Sequence, residues 1–317
     1  MRQPRRVLVL GGTGFVGARL LHCLGPQVEQ LRVLTRNRAA HRHIALLPKV
    51  ELSNADVYDP MALRHACTGM DAVINLVGIL NAPGRSGQGF ERAHVELTTR
   101  LVVAAEATGV SRLLQMSSLG AGKGESHYLR SRGAAEARVR ASKLEWTLYR
   151  PSVIFGPGDG LFCRFAALLK LLPGLLPLAR AQARMQPVYV GDVVAAMART
   201  LADPEACGQT YEFGGPQVLT LADIVRYTAA QLGRRVTVLP LPDVIGRLQG
   251  WVFDFLPMAL KAFSSDNFKS LKLDSVTTRH DLEALGVQPT PIAAIVPAML
   301  GRLDKQHQLD DLRQRRN

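Results

Sequence analysis

The run VLVLGGTGFVGARLLHCL, residues 7–24, constrains the fold of this chain more than any other stretch. Four apolar residues, Val7 to Leu10, meet a glycine-rich turn, GGTGFVG at 11–17, and the helix-like ARLLHCL follows. A strand that passes through glycines into a helix leaves the helix's first N–H groups without internal partners, at the mouth of the turn. Read as G-x-x-G-x-x-G, the three glycines have separate tasks. Gly11 allows a tight turn off the strand, Gly14 lets backbone approach a pyrophosphate, and Gly17 lets the helix pack on the sheet. The reading is a dinucleotide-binding loop, and the alternative is a merely structural glycine turn.

The rest of the chain supports the first reading. Apolar runs at 7–10, 31–35, 50–52, 72–77, 113–116 and 146–150 read as strands. Helix-like segments lie between them, among them 91–107 with Val95, Leu101, Val102 and Ala105 on one side. Strand–helix alternation predicts a parallel sheet covered on both faces. AVINLVGIL, apolar without alternation, fits a strand buried on both sides. After Pro151 the pattern loosens into PSVIFGPGDG, followed by a helix near 162–172, a strand near 188–190, a helix at 192–201 and a strand at 211–213. The expected fold is α/β: a Rossmann-type doubly wound parallel sheet with a smaller C-terminal α/β lobe. Residues 1–155, completed by segments near 186–215, form the nucleotide domain; 156–185 and 216–317 form the lobe.

Composition narrows the partners. The formal net charge is +13, with 21 Lys+Arg against 11 Asp+Glu up to residue 150 and 18 against 15 beyond it. The basic surplus therefore lies with the glycine loop, where it suits an anionic cofactor or acidic headgroups. Aromatics are 6% and no nucleic-acid motif is present, so nucleic acid is not expected. Cys23, Cys67, Cys163 and Cys207 are scattered without CxxC spacing, which suits reduced thiols in a cytoplasmic protein. No His/Cys spacing suits a metal; His41 and His43 lie in a polar connection. No stretch of 18 uncharged apolar residues suggests a membrane span, and the short apolar run after MRQPRR reads as a first strand rather than a leader.

The end of the second strand bears on which dinucleotide is bound. NAD-preferring domains place an acid there for the ribose 2′-hydroxyl. Here the sequence is LRVLTRNR, with Thr35, Arg36 and Arg38 and no acid. A guanidinium pairs with a 2′-phosphate that a carboxylate would repel. NADP(H) is therefore expected over NAD(H), unless Arg36 and Arg38 are only solvated loop charges. Asp56 and Val57 in NADV end the third strand near the adenine position. INLVG at 74–78 ends the fourth on the same carboxyl edge.

GGTGFVG, NADVYDP, INLVGIL, YLRSR, RPSVIFGPGD and QPVYVGDVVAA, in this order, resemble the extended, atypical short-chain dehydrogenase/reductases. HVELTTRLVVAA, SHYLRSRGAAE and FSSDNFKSLKLDSV are similar in particular to NADPH-binding accessory subunits of respiratory complex I and their bacterial relatives. The resemblance implies that Gly11, Thr13, Gly14, Phe15, Val16 and Gly17 hold the phosphates and that Arg36, beside Arg38, takes the 2′-phosphate. It implies that Asp56 and Val57 border the adenine. Leu76, Val77, Gly78, Tyr128, Arg132 and Pro151 then serve the nicotinamide side.

The family's Tyr-x-x-x-Lys falls on Tyr128 and Arg132. Active members use the lysine to lower the tyrosine pKa and bind ribose. Arg132 supplies charge, but a guanidinium does not deprotonate in proteins and cannot relay a proton. Ser117 and Ser118 are the candidates to polarise a substrate oxygen, and His94 stands near the asparagine of active members. Two functions follow. One is a cofactor-stabilised accessory or assembly protein, docked on a protein partner at a respiratory complex or a membrane surface. Asp243 to Phe263, with Ile245, Leu248, Trp251, Val252, Phe255 and Leu256 at helical spacing, would contact that partner or pack inside the lobe. The other is an NADPH-dependent reductase of a small apolar carbonyl or quinone, with Tyr128, Arg132, Ser117 and Ser118 as its catalytic set.

Overall fold

The computed structural model describes residues 4–82, 84, 86–171, 174–247 and 264–301. The first half comprises β1 (Arg6–Leu10), α1 (Phe15–Leu24), β2 (Gln30–Thr35), α2 (Arg42–Ala45), β3 (Val50–Asn54), α3 (Pro60–Cys67) and β4 (Ala72–Asn75). It continues with α4 (Gln88–Phe90), a π-helical turn (Glu91–Glu96), α5 (Leu97–Ala107), β5 (Arg112–Met116), α6 (His127–Arg140) and β6 (Glu145–Pro151). The second half contains β7 (Ile154–Phe155), α7 (Phe162–Leu171), β8 (Gly174–Ala179), β9 (Arg184–Met185), β10 (Val188–Tyr189), α8 (Val190–Leu201) and β11 (Gln209–Phe213). It then adds β12 (Leu219–Thr220), α9 (Leu221–Gln231) and β13 (Val236–Leu241), with short helices at Ser265–Ser270 and Asp281–Ala284.

Seven strands form one parallel sheet in the order β11-β6-β5-β4-β1-β2-β3. Both faces are covered, as a doubly wound sheet requires. Alternate residues of one strand enter opposite cores. Val7 and Val9 of β1 pack with α1 and α8, whereas Leu8 and Leu10 pack with α3 and α5. The chain runs outward from β1 through β2 to β3, then returns to start β4 on the other side of β1. The crevice beyond the carboxyl ends of β1 and β4 is the topological switch point, where open α/β sheets bind ligands.

Two boundaries differ from the sequence reading for local reasons. The fourth strand stops at Asn75 instead of running to 77, because the Asn75 side-chain oxygen accepts the Val77 N–H at 3.1 Å and turns the chain. The helix expected at 91–107 begins at Gln88 and is wound as a π-helix over Glu91–Glu96.

The smaller lobe packs α7 against α9 around Leu169, Leu176, Val225 and Val238, over the parallel pair β8–β13. Acids of the later motifs hold this arrangement. Asp159 accepts N–H bonds from Gly156, Leu161 and Cys163 at the start of α7. Asp192 accepts both the N–H and the hydroxyl of Thr290, at 2.7 and 2.9 Å. The stripe assigned to residues 243–263 lies outside the described residues from 248 onward, as does the charged tail. None of the described helices is long and apolar enough to cross a membrane.

Candidate functional site

Two positions of the glycine turn, Gly11 and Gly17, leave no room for a side chain. Gly11 has φ +77°, and a Cβ there would stand 3.1 Å from the Leu76 carbonyl carbon of the β4 loop. A Cβ on Gly17 would lie 2.2 Å from the Gly11 oxygen, so α1 can rest on the turn only without a side chain there. Gly14 caps α1 in an extended conformation with no side-chain cap, and the helix's first turn carries no acid. The first bond back to the cap is Ala18 N–H to Gly14 O, at 2.9 Å. The N–H groups of Phe15, Val16 and Gly17 thus point out of the helix end without an intrahelical acceptor. An uncapped, acid-free helix end beside exposed Gly14 fits a pyrophosphate.

At the end of β2, buried Thr35 accepts the Asn37 N–H through its hydroxyl at 3.2 Å, and Arg36 and Arg38 stand exposed just beyond. Asp56 folds the next loop by accepting the Tyr58 N–H at 3.0 Å, and Val57 packs on the core between them. Burial raises the Tyr58 phenol above its ordinary pKa, against the opposing charges of Arg92 and Arg36.

The other end of the crevice is a network of buried polar side chains. Tyr128, Arg132 and Glu136 lie at i, i+4 and i+8 on α6, so they share a face toward the sheet. The Arg132 guanidinium donates to the Met116 carbonyl at 3.0 Å and to the Val77 carbonyl at 3.4 Å, bridging the ends of β5 and β4. A Cβ on Gly78 would fall 2.0 Å from Arg132 Nη2, which explains the glycine. The Nε of Arg132 is buried without a partner. Tyr128 is half-buried, edge-on to His94 and Phe90 at centroid distances of 5.6 and 6.1 Å, with the Arg132 guanidinium 5.5 Å from its ring.

The two serines part company. Ser117 donates to Glu136 at 2.6 Å. Glu136 also receives two bonds from Arg150, at 2.8 and 2.6 Å, and one from Arg140 at 3.2 Å. Burial alone would raise the Glu136 carboxyl; the bonds from Arg150 and Ser117 outweigh it and hold the group below the usual carboxylate range. Ser118, only 8% exposed, has a buried hydroxyl with no partner. Pro151 is buried at the end of β6, and its carbonyl accepts the Leu119 N–H at 3.0 Å.

Three residues of this site carry no role in the sequence reading. Glu136 is one, and its i+4 step from Arg132 was the available signal. Ser131, bonded to His94 at 2.8 Å, is another. The third is Asp266, which accepts the N–H groups of His127 and Tyr128 at 2.7 and 3.0 Å and so seats the first turn of α6 from the C-terminal lobe. It lies within FSSDNFKSLKLDSV, a segment read by resemblance alone. No cluster of metal-ligating side chains occurs among the described residues.

Strand order, switch-point crevice and uncapped glycine turn define a dinucleotide-binding Rossmann protein. The NAD(P)H-binding family matches residues 11–160. Mitochondrial NADH dehydrogenase (ubiquinone) 1 alpha subcomplex subunit 9 of Mus musculus is 32% identical over 295 residues, covering 90% of this chain and 76% of that one. The ceramide reductase of Caulobacter vibrioides is 30% identical over 248 residues, covering 75% of this chain and 74% of that one. An NADPH-dependent quinone oxidoreductase of Escherichia coli, solved with NADPH, superposes with a TM-score of 0.73 at 21% identity, over 94% of this chain and 99% of that one. The chain belongs to the NAD(P)-binding family that includes these complex I subunits and reductases, its fold is of the short-chain dehydrogenase/reductase type, and its ligand is a nicotinamide dinucleotide.

Proposed function

We propose that this chain is an NADP(H)-binding accessory protein whose held cofactor stabilises it for docking on a protein partner at a respiratory complex or membrane surface. The carrying observation is the Arg132 guanidinium, committed to the carbonyls of Met116 and Val77. Where an enzyme of this fold needs a lysine that passes protons, this chain has a fixed cation that ties two strand ends together.

In this reading Gly11 to Gly17 hold the pyrophosphate, Arg36 and Arg38 take the 2′-phosphate, and Asp56 and Val57 border the adenine. Leu76, Val77, Gly78, Tyr128, Arg132 and Pro151 flank the nicotinamide ribose. When bound, the cofactor supplies a hydride donor or acceptor. The absence of an acid at the end of β2 supports the phosphorylated form. A ligand at a hundred times its Kd adds about 2.7 kcal/mol to folding stability by mass action. Residues 1–155 and 186–215 carry the cofactor, and the lobe faces the partner. Exposed Leu171, Leu175, Leu239, Val244 and Ile245 on or beside the β8–β13 pair supply an apolar surface for that contact.

A second reading rests on Ser118. Its unpartnered buried hydroxyl and the half-buried Tyr128 phenol stand on the same edge, the donors a reductase of a small apolar carbonyl or quinone would use. Tyr128 would hand its proton to the substrate oxygen while Ser118 orients it.

Tyr128→Phe separates the two. An accessory role keeps NADPH affinity and Tm within error of the parent, measured by calorimetry and thermal unfolding, with no turnover of carbonyl or quinone panels by either protein. Parent turnover that falls by roughly two to four powers of ten in the variant establishes the reductase instead.

A further inference from the structure

His94 is 1% exposed and sits in the π-helical turn Glu91–Glu96. A π turn re-aims a side chain relative to an α-helix and occurs often at functional sites. Here it aims the imidazole at backbone: the Ile79 N–H donates to His94 Nε2 at 3.2 Å. An amide nitrogen can only donate, so Nε2 must be bare and the single proton of the neutral ring lies on Nδ1. Nδ1 is 2.8 Å from Ser131 Oγ, and the Ser131 hydroxyl in turn donates to the Tyr128 carbonyl at 2.9 Å. Every donor in this chain has one acceptor, and the chain runs in one direction, from the loop after β4 to the first turn of α6.

We infer that His94, locked as the Nδ1–H tautomer, is a positioning residue: it clamps the Ile79 amide and thereby sets Leu76–Gly78, the nicotinamide-side loop, against Arg132. That consequence for the cofactor rests on the binding reading above. Arg132 lies close against this loop: its guanidinium donates to the Val77 carbonyl, and a Cβ added at Gly78 would fall 2.0 Å from Arg132 Nη2. Burial, helped by the Arg132 charge, pushes the imidazole pKa down to about 2, in keeping with a ring that has no room for a second proton.

Two substitutions split the clamp. His94→Gln carries an acceptor near the place of Nε2 and keeps the Ile79 arm. His94→Asn carries a donor near the place of Nδ1 and keeps only the Ser131 arm. The first measurement is imidazole 15N NMR of the full chain between pH 5 and 8. It should show one histidine, absent in His94→Gln, that is protonated at Nδ1 and does not titrate; an Nε2–H tautomer or a titration in this range overturns the inference. Hydrogen exchange at the Ile79 amide then reads the loop without any ligand. It should be about tenfold faster in His94→Asn than in the parent, and near the parent rate in His94→Gln, for one hydrogen bond lost. Equal rates in the two variants overturn the clamp.

With NADPH as the probe, the emission of the bound nicotinamide should match the parent in His94→Gln and move toward that of free NADPH in His94→Asn. A parent that takes up no NADPH defeats the binding reading, whereas the tautomer and the exchange rates still judge His94.

Discussion

The two ends of the crevice treat polar groups in opposite ways. At the glycine turn, donors are left open: the α1 terminus has no cap and no acid, and Arg36 and Arg38 reach into solvent. On the far side, several donors and acceptors are used internally, while Arg132 Nε and the Ser118 hydroxyl are buried without partners. Arg132 is spent on two carbonyls, His94 on Ile79 and Ser131, and Ser117 on Glu136. The difference teaches where binding free energy can come from. An open donor exchanges water for a phosphate oxygen and gains a charge-assisted bond, whereas a satisfied one offers a ligand shape but little new hydrogen bonding. Affinity for the dinucleotide should therefore be concentrated at its adenosine and phosphate end.

The hardest way to break this contrast is Gly17→Val. Its Cβ would meet Gly11 O at 2.2 Å and Gly12 Cα at 2.6 Å, backbone atoms that cannot swing aside. The turn must open and misplace the N–H groups. Losing two charge-assisted bonds weakens NADPH binding by roughly a hundredfold or more, read by calorimetry. The overpacking itself costs about 1–3 kcal/mol in urea unfolding. Retained affinity would mean that the helix end is not the anchor.

Arg36→Asp tests the adenosine ribose more gently. Exposed Arg36 loses one bidentate pair and gains repulsion toward a 2′-phosphate, while the fold has nothing invested in it. The NADPH-to-NADH affinity ratio should fall by roughly 10–100-fold with Tm unchanged. An unchanged ratio removes the basis for preferring the phosphorylated cofactor.

The contrast also marks how far the sequence could be read. The open end was legible because it rests on local pattern: strand, glycines and helix follow one another, and the absent acid lies on the next strand. The sheet was legible for a similar reason. Its strands are buried on both faces, so they read as apolar runs, and β1 through β6 lie within a residue or two of their expected places. The satisfied end was not. Asp266 reaches the start of α6 from 139 residues away, and Arg150 reaches Glu136 of α6 from β6. The π turn that aims His94 has no signature in residue type, and the side-chain bond that ends β4 at Asn75 looks like strand from the sequence. The pairing of β8 with β13 joins segments about sixty residues apart through prolines at 177 and 240, a combination that reads as loop.

The smallest effects fall on the adjacent serines, and they sharpen the comparison most. Sequence places Ser117 and Ser118 as equals at the end of β5; the structure gives one hydroxyl an acceptor and leaves the other without one. Ser117→Ala takes a bond from the buried Glu136 carboxylate, which keeps Arg150, so unfolding should be easier by about 1–2 kcal/mol. The loss should shrink as pH falls through the depressed Glu136 pKa, because the bond favours the ionised carboxylate. Ser118→Ala removes a hydroxyl that bonds to nothing and should stay within about 0.5 kcal/mol of the parent, with NADPH affinity unchanged. Urea titrations of the two variants at pH 7 and at pH values below the usual carboxylate range decide the matter. Equal losses would mean that Ser118 is also spent inside the protein, and the case for a substrate oxygen beside it would fall with that result.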